Sequence, residues 1–265
     1  MELRLPMSVN KLVPFVIIVM LSSLLGACVT TTEGGFTEKA SPEKALERRV
    51  SLARQYIGEG NWDYAKRNLL MAYEIDPDDA QVHEVFALLY QRTGEFELAE
   101  ENFEKSIRLD RGCSRCRNNY AAFLYSQGEY EKAESQLELV VADSLYTGRA
   151  RAFVNLGLCR KRLENIEGAE QAFSRALAME RTNQIALLEM AQMRYDADDL
   201  VEANKFYDIY HRVARQQSAR GLFLGIRLAQ EKGDVDAEAS FGLALRNRFP
   251  DSEQYKLYKK AQQGG

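Results

Sequence analysis

Cys113-Ser-Arg-Cys116 and the two histidines, His83 and His211, are the residues of this chain whose types and spacing invite a chemical reading. A Cys-X-X-Cys pair has the spacing of a dithiol redox motif, of half a zinc site, or of a local disulfide. It stands at a junction between helical segments rather than at the strand-to-helix turn that activates a catalytic thiol, and zinc needs two more ligands. Three readings stay open: incidental packing cysteines, a local disulfide, and a metal or redox site. Cys159 falls inside a helical segment and reads as structural. The histidines occupy unrelated phases of the pattern described below, so no dyad is expected. There is no Gly-rich phosphate loop after a strand, no nucleophile elbow and no metal-binding helix signature, and the acidic residues fall mostly on solvent positions. The chain is therefore expected to bind rather than to catalyse, with no cofactor and no metal.

The elements that would position these residues follow from one column of small side chains. Alanine recurs at Ala65, Ala99, Ala133, Ala169, Ala203 and Ala237, at intervals of 34 residues with a single interval of 36. A second small column runs twelve residues ahead, at Ala53, Ala87, Ala121, Gly157, Ala191 and Gly225. Large apolar residues flank both columns: Leu52, Phe86, Tyr120, Leu156, Met190 and Leu224 before the first helix's small position, and Leu69, Phe103, Leu137, Phe173, Tyr207 and Phe241 four residues past the second's. Two helices per period must approach closely at the small positions and fill the grooves with the large ones. Turn formers separate them at Gly60-Asn61, Gly94-Glu95, Gly128-Glu129, Glu164-Asn165, Asp198-Asp199 and Lys232-Gly233. Asp76-Pro77 and Phe249-Pro250 close the first and last units. The period and its phases resemble the tetratricopeptide repeat. The expected fold is all-α, a right-handed superhelical solenoid of six such repeats at 46–79, 80–113, 114–147, 150–183, 184–217 and 218–251. Residues 252–265 are expected to add a short cap and tail. The column that usually carries Trp holds Arg49, His83, Arg117, Phe153, Leu187 and Gly221 instead, a local departure that leaves the fold expectation intact.

The front of the chain has a different character. Residues 12–25 are an apolar run preceded by Arg4 and Lys11, too short to span a bilayer comfortably and matching the core of a secretory signal. It ends in Leu25-Gly26-Ala27-Cys28, which resembles a bacterial lipobox: residues 1–27 are read as a signal peptide and Cys28 as the lipidation site, an ordinary signal cut after Ala27 being the alternative. Each buried methylene of an acyl chain contributes roughly 0.8 kcal/mol, so several chains anchor firmly. Val29 in place of an aspartate after the cysteine points, by resemblance to sorted lipoproteins, to the periplasmic face of the outer membrane. Residues 28–43 are read as the lipidated cysteine and a flexible tether, with a reach of about 20 Å. The whole chain carries a net charge of −4, and removing Arg4 and Lys11 together with Glu2 takes it to −5. With both signs interspersed, nucleic acid is not an expected partner. The chain is expected to be a monomer.

Repeats of this class bind on the concave face made by their first helices. In this sequence that face carries Val50, Arg54, Ile57, Leu88, Asn118, Tyr125, Arg151, Leu158 and Tyr195, with Glu84, Arg115, Lys161 and Leu188 among them. The mixture is apolar and basic. It lacks the ordered Lys/Asn set that resembles a carboxylate clamp, so an extended or helical segment docked on aromatic anchors is the expected ligand rather than a free chain terminus. Trp62, the only tryptophan, shares its phase with Phe96, Tyr130, Ile166 and Leu200 and is read as packing between hairpins rather than as an exposed anchor.

Several runs carry a more specific resemblance. Asn118-Asn119-Tyr120-Ala121-Ala122-Phe123-Leu124-Tyr125 followed by Gln127-Gly128-Glu129-Tyr130, then Asp143-Ser144-Leu145-Tyr146, Asn155-Leu156-Gly157-Leu158-Cys159 and Leu224-Gly225-Ile226-Arg227-Leu228-Ala229 resemble the type IV pilus biogenesis and stability lipoproteins, the PilF/PilW-type pilotins. The resemblance implies a noncatalytic outer-membrane lipoprotein that binds the pilus secretin and helps it reach the outer membrane and multimerise. A repeat scaffold for another envelope assembly machine would share the lipobox and the repeats, and is the alternative expectation.

Overall fold

The computed structural model describes residues 41–263. Residues 1–40, and with them the expected signal peptide, the lipobox and Cys28, lie outside the described residues. Thirteen helices and no strands are found among the described residues. They pair as six hairpins: α1 (Pro42–Gly58) with α2 (Trp62–Ile75), α3 (Ala80–Thr93) with α4 (Phe96–Leu109), α5 (Ser114–Gln127) with α6 (Tyr130–Ala142), α7 (Arg149–Arg162) with α8 (Ile166–Met179), α9 (Gln184–Asp196) with α10 (Leu200–Val213), and α11 (Ala219–Lys232) with α12 (Val235–Arg248). A last helix, α13 (Glu253–Gln263), packs on α11 and α12. Among the described residues no helix is long and apolar enough to cross a membrane.

The small columns explain the pairing. Nine of their alanines, from Ala53 to Ala203, are completely buried, Gly157 and Gly225 are buried with them, and only Ala237 is partly open. At Gly157 the backbone lies so close to the Phe173 ring that a Cβ would meet it at 2.6 Å. Gly225 is closed in the same way by Tyr207 and Phe241. The large columns fill the grooves, with Leu69, Phe103, Leu137 and Phe173 fully buried. Each hairpin alone buries little, and the array is stabilised by its neighbours.

The turns inside the hairpins need a left-handed residue. Gly60, Gly94, Gly128 and Gly233 supply it without strain. The fourth and fifth hairpins use Glu164 (φ 59°) and Asp198 (φ 58°) instead, which costs roughly 1 kcal/mol each through crowding of Cβ against the carbonyl. Several helix starts are capped by side chains: Asp79, Asn165, Asn183, Asp199, Ser218 and Asp234 each accept an N–H from the first turn.

First helices of neighbouring hairpins touch one another, α1 with α3, α3 with α5, α5 with α7 and α9 with α11, whereas second helices show no comparable contact between neighbours. The first helices therefore line the inner side of the curve. This is the side that must hold any ligand the array wraps.

Candidate functional site

The floor of the inner face is built from two buried carboxylates. Glu84 on α3 is fully buried and accepts from Arg54 of the preceding repeat at 3.1 and 2.6 Å, one bond to each carboxylate oxygen. From the following repeat, Arg115 reaches the same carboxylate at 3.1 and 2.9 Å, and Asn119 donates its amide at 2.6 Å. Glu189 on α9 is also buried. It accepts from Lys161 of the repeat before at 2.6 Å and from Arg220 of the repeat after at 2.7 Å. Each carboxylate thus ties three consecutive repeats. Between the two trios, Asn155 of the fourth repeat donates to Asn118 of the third at 3.1 Å, completing a polar seam along all six.

The two clips differ in what they leave open. Donors from Arg54, Arg115 and Asn119 crowd onto Glu84, and beside it the sulfurs of Cys113 and Cys116 form a disulfide. Both sulfurs being bonded to each other, the cluster of Glu84, Cys113 and Cys116 offers no thiolate to a metal, which settles among the open readings of Cys-X-X-Cys for the disulfide. Cys113 also caps α5, its Sγ accepting the Cys116 N–H at 3.1 Å. Cys159 is buried and its thiol is pushed up to about 12 by burial first and by Glu134 second, so it is an inert packing residue.

Around Glu189 there is space. A cavity of about 360 Å³ is lined by Tyr125, Leu158, Lys161, Arg162, Glu189 and Arg220. Burial pushes the Glu189 carboxyl up, but the hydrogen bonds and charges of Arg220 and Lys161 outweigh it and hold the group below the usual carboxylate range. Tyr125 accepts from Arg162 Nε at 3.2 Å and meets the Tyr130 ring edge-on at 5.2 Å. A second cavity of about 320 Å³ shares Glu189 and Arg220 and includes the apolar residues Ile185 and Leu188 and the ring of Tyr210.

Among the inner-face residues picked from the sequence, Tyr125 and Leu158 meet in the first cavity and Arg54 forms the first clip. Tyr195 is half-buried further along, with Arg227 4.1 Å above its ring and its hydroxyl donating to Glu231 at 3.1 Å. Ile57 and Leu88 are half-buried against the core clusters, and Arg151 is exposed on the first turn of α7. Val50 and Asn118 are each 3% exposed. They lie under the surface, Val50 in the first core cluster and Asn118 in the polar seam, and present little to a ligand. Glu189, Arg162 and Arg220 were not singled out in the sequence, although they define the cavity.

The histidines are far apart in the fold, as their phases require. His83 is buried and bonded through its two ring nitrogens to Asn102 and the Pro77 carbonyl, both at 2.9 Å, while His211 contacts Gln217. Trp62 is not packed away between hairpins: it is 38% exposed. As the first residue of α2 it lies near Gly60, whose Cβ position is 3.7 Å from its ring. Phe96 and Ile166, in the same phase, are exposed as well.

Comparison with known proteins agrees with this architecture. The tetratricopeptide repeat pattern matches residues 80–113 and 150–183. The chain is 35% identical over 245 residues to the type IV pilus assembly protein PilF of Pseudomonas aeruginosa, a match covering 92% of this chain and 96% of that protein. A solved structure of Pseudomonas aeruginosa PilF superposes with a TM-score of 0.79 at 35% identity, covering 83% of this chain and 99% of that one. The type IV pilus biogenesis factor PilW shares the fold at 23% identity and a TM-score of 0.71, over 81% of this chain and 98% of that one.

Proposed function

This chain belongs to the family of the type IV pilus assembly protein PilF, and on that premise we propose that it is the pilotin of a type IV pilus. In this role it binds the pilus secretin, accompanies it to the outer membrane and promotes its multimerisation. The observation that carries the reading is the kinship over nearly the whole of both chains, joined to an inner face built to hold a partner rather than to react with one. A secretin subunit exposes unpaired strand edges and apolar surface until its ring closes, and a rigid groove shields such a surface. No bond needs to be made or broken, so no residue is catalytic. Acyl chains on Cys28 supply the second half of the function. They hold the repeats on the periplasmic face of the outer membrane and fix the destination of whatever the groove carries.

The test is an affinity capture from membranes of cells making the wild type or Cys28→Ala, with secretin located by fractionation. The expected result is capture by both proteins in detergent, together with secretin mislocalised and poorly multimerised in cells bearing Cys28→Ala. Normal secretin multimers in the outer membrane of a deletion strain, with none captured, would overturn the proposal. Capture of a different envelope machine in place of pilus proteins would give the scaffold reading instead.

A further inference from the structure

We propose that the cavity between the third and sixth repeats is an acidic-peptide slot: it takes a carboxylate side chain of the partner segment between Arg162 and Arg220, with an apolar neighbour against Tyr125 and Leu158. The inference rests on the reading of the inner face as the partner site and names the chemistry that site selects.

Charge balance carries the argument. Three cations, Lys161, Arg162 and Arg220, share the cavity with one carboxylate, Glu189. Lys161 and Arg220 are each bonded to it at 2.6 and 2.7 Å, so Glu189 serves two cations and Arg162 is left over. Arg162 pairs with no carboxylate among the described residues. Its polar partner is the Tyr125 hydroxyl at 3.2 Å, and the Tyr130 face lies 5.9 Å from its guanidinium carbon. By contrast Arg160, two residues earlier on the same helix, is neutralised by Glu134 and Glu138 at 2.7 and 2.9 Å. The Arg162 charge also acts against Arg220, so two guanidiniums face one cavity with a single shared counter-charge nearby. An arriving carboxylate relieves that repulsion, and a guanidinium has five N–H donors of which each arginine spends one on the contacts just described.

The Glu84 clip has the opposite arrangement. Arg54, Arg115 and Asn119 all turn inward onto one carboxylate and close it off. The Glu189 clip opens onto the cavity. Its apolar lining explains why a carboxylate alone is not the ligand: Tyr125 and Leu158 line the first cavity, and Ile185, Leu188 and Tyr210 line the second across the shared Glu189 and Arg220. A segment that alternates acidic and apolar side chains would satisfy both.

The test uses the full chain and three short labelled peptides of identical length: one alternating Glu with Leu and Phe, one with Gln in place of Glu, and one with Lys. Binding is followed by fluorescence anisotropy. The Glu peptide is expected to bind about tenfold more tightly than the Gln peptide, and the Lys peptide least, with the Glu preference shrinking at high salt. Arg162→Gln should weaken the Glu peptide about tenfold and leave the Gln peptide unchanged. Because Arg162 holds no ion pair, its replacement should leave the melting temperature unaltered, which separates lost binding from lost folding. No binding of the Glu peptide, equal affinity for all three, or a Glu-peptide affinity untouched by Arg162→Gln would overturn the inference. Secretin captured equally by wild type and Arg162→Gln would overturn it too, leaving the pilotin role standing. A Glu peptide that binds as described while no secretin is captured would sink the pilotin role and spare the slot.

Discussion

Glu84 and Glu189 stand in equivalent places of two successive trios of repeats: each is a buried carboxylate on the first helix of a middle repeat, held by a cation from the repeat before and an arginine from the repeat after. In a stack whose members touch only their neighbours, such a residue couples two interfaces at once. It also fixes the relative placement of the side chains that line the groove.

Removing the carboxylate should therefore cost more than a single contact. Glu84→Ala leaves the two arginines facing each other without a counter-charge, and a loss of about 3 kcal/mol is expected in chemical denaturation. Arg54 and Arg115 are partly exposed and can turn toward water, which keeps the loss at the low end for a broken buried pair. A double-mutant cycle of Arg54→Met with Glu84→Gln should return a coupling well above that of an exposed pair such as Lys205 with Glu202. Equal couplings would contradict the clip.

Glu189 gives the pH dependence a sign. Its folded pKa lies below the ordinary 4.5, since Arg220 and Lys161 outweigh the effect of burial. The unfolded chain then binds the proton more readily than the folded one, and stability rises with pH across that window. The contribution is fully present above about 4.5 and disappears as pH falls through the depressed folded value. Melting temperatures measured from pH 6 downward should fall less steeply below the ordinary carboxylate value for Glu189→Gln than for wild type; parallel slopes would contradict the assignment.

Two turns should improve on substitution. Glu164 and Asp198 hold positive φ where four of the six hairpins use glycine. Glu164→Gly and Asp198→Gly should each stabilise by about 0.5 kcal/mol, the relief of the left-handed strain less the extra backbone entropy of glycine. Calorimetry on each single variant checks this, and a lowered melting temperature would count against it.

Gly157 should resist change in the opposite direction. A Cβ there would lie 2.6 Å from the Phe173 ring, and the ring is fully buried with nowhere to move. Gly157→Ala is expected to cost about 2 kcal/mol by overpacking. Alanine at the same column in the neighbouring repeats is accommodated, so a neutral result would mean that the interface yields more than its packing suggests.

The fold was legible because close helix approach demands small residues at fixed phases, and Ala53 to Ala237 record that demand in the chain. The clips were less so. Glu84 falls at the fifth position of its repeat and Glu189 at the sixth of its own, so reading columns does not align them. Their partners lie about thirty residues away on either side, and long side chains reach across repeats in ways that periodicity does not encode. Arg162 went unnoticed for a related reason. Its significance is that no carboxylate pairs with it among the described residues, which only the packed array reveals. Trp62 shows the limit of reading a shared phase: Trp62, Phe96 and Ile166 stay open to solvent, while Tyr130 and Leu200 at the same phase are half-buried.

Site-specific photocrosslinking in the native envelope bears most directly on the central claim that the inner face holds a pilus secretin. A photoreactive residue in place of Leu158, inside the groove, should yield an adduct containing secretin, while one in place of exposed Lys205 on α10 should not. Secretin adducts from position 205 with none from 158 would contradict the account.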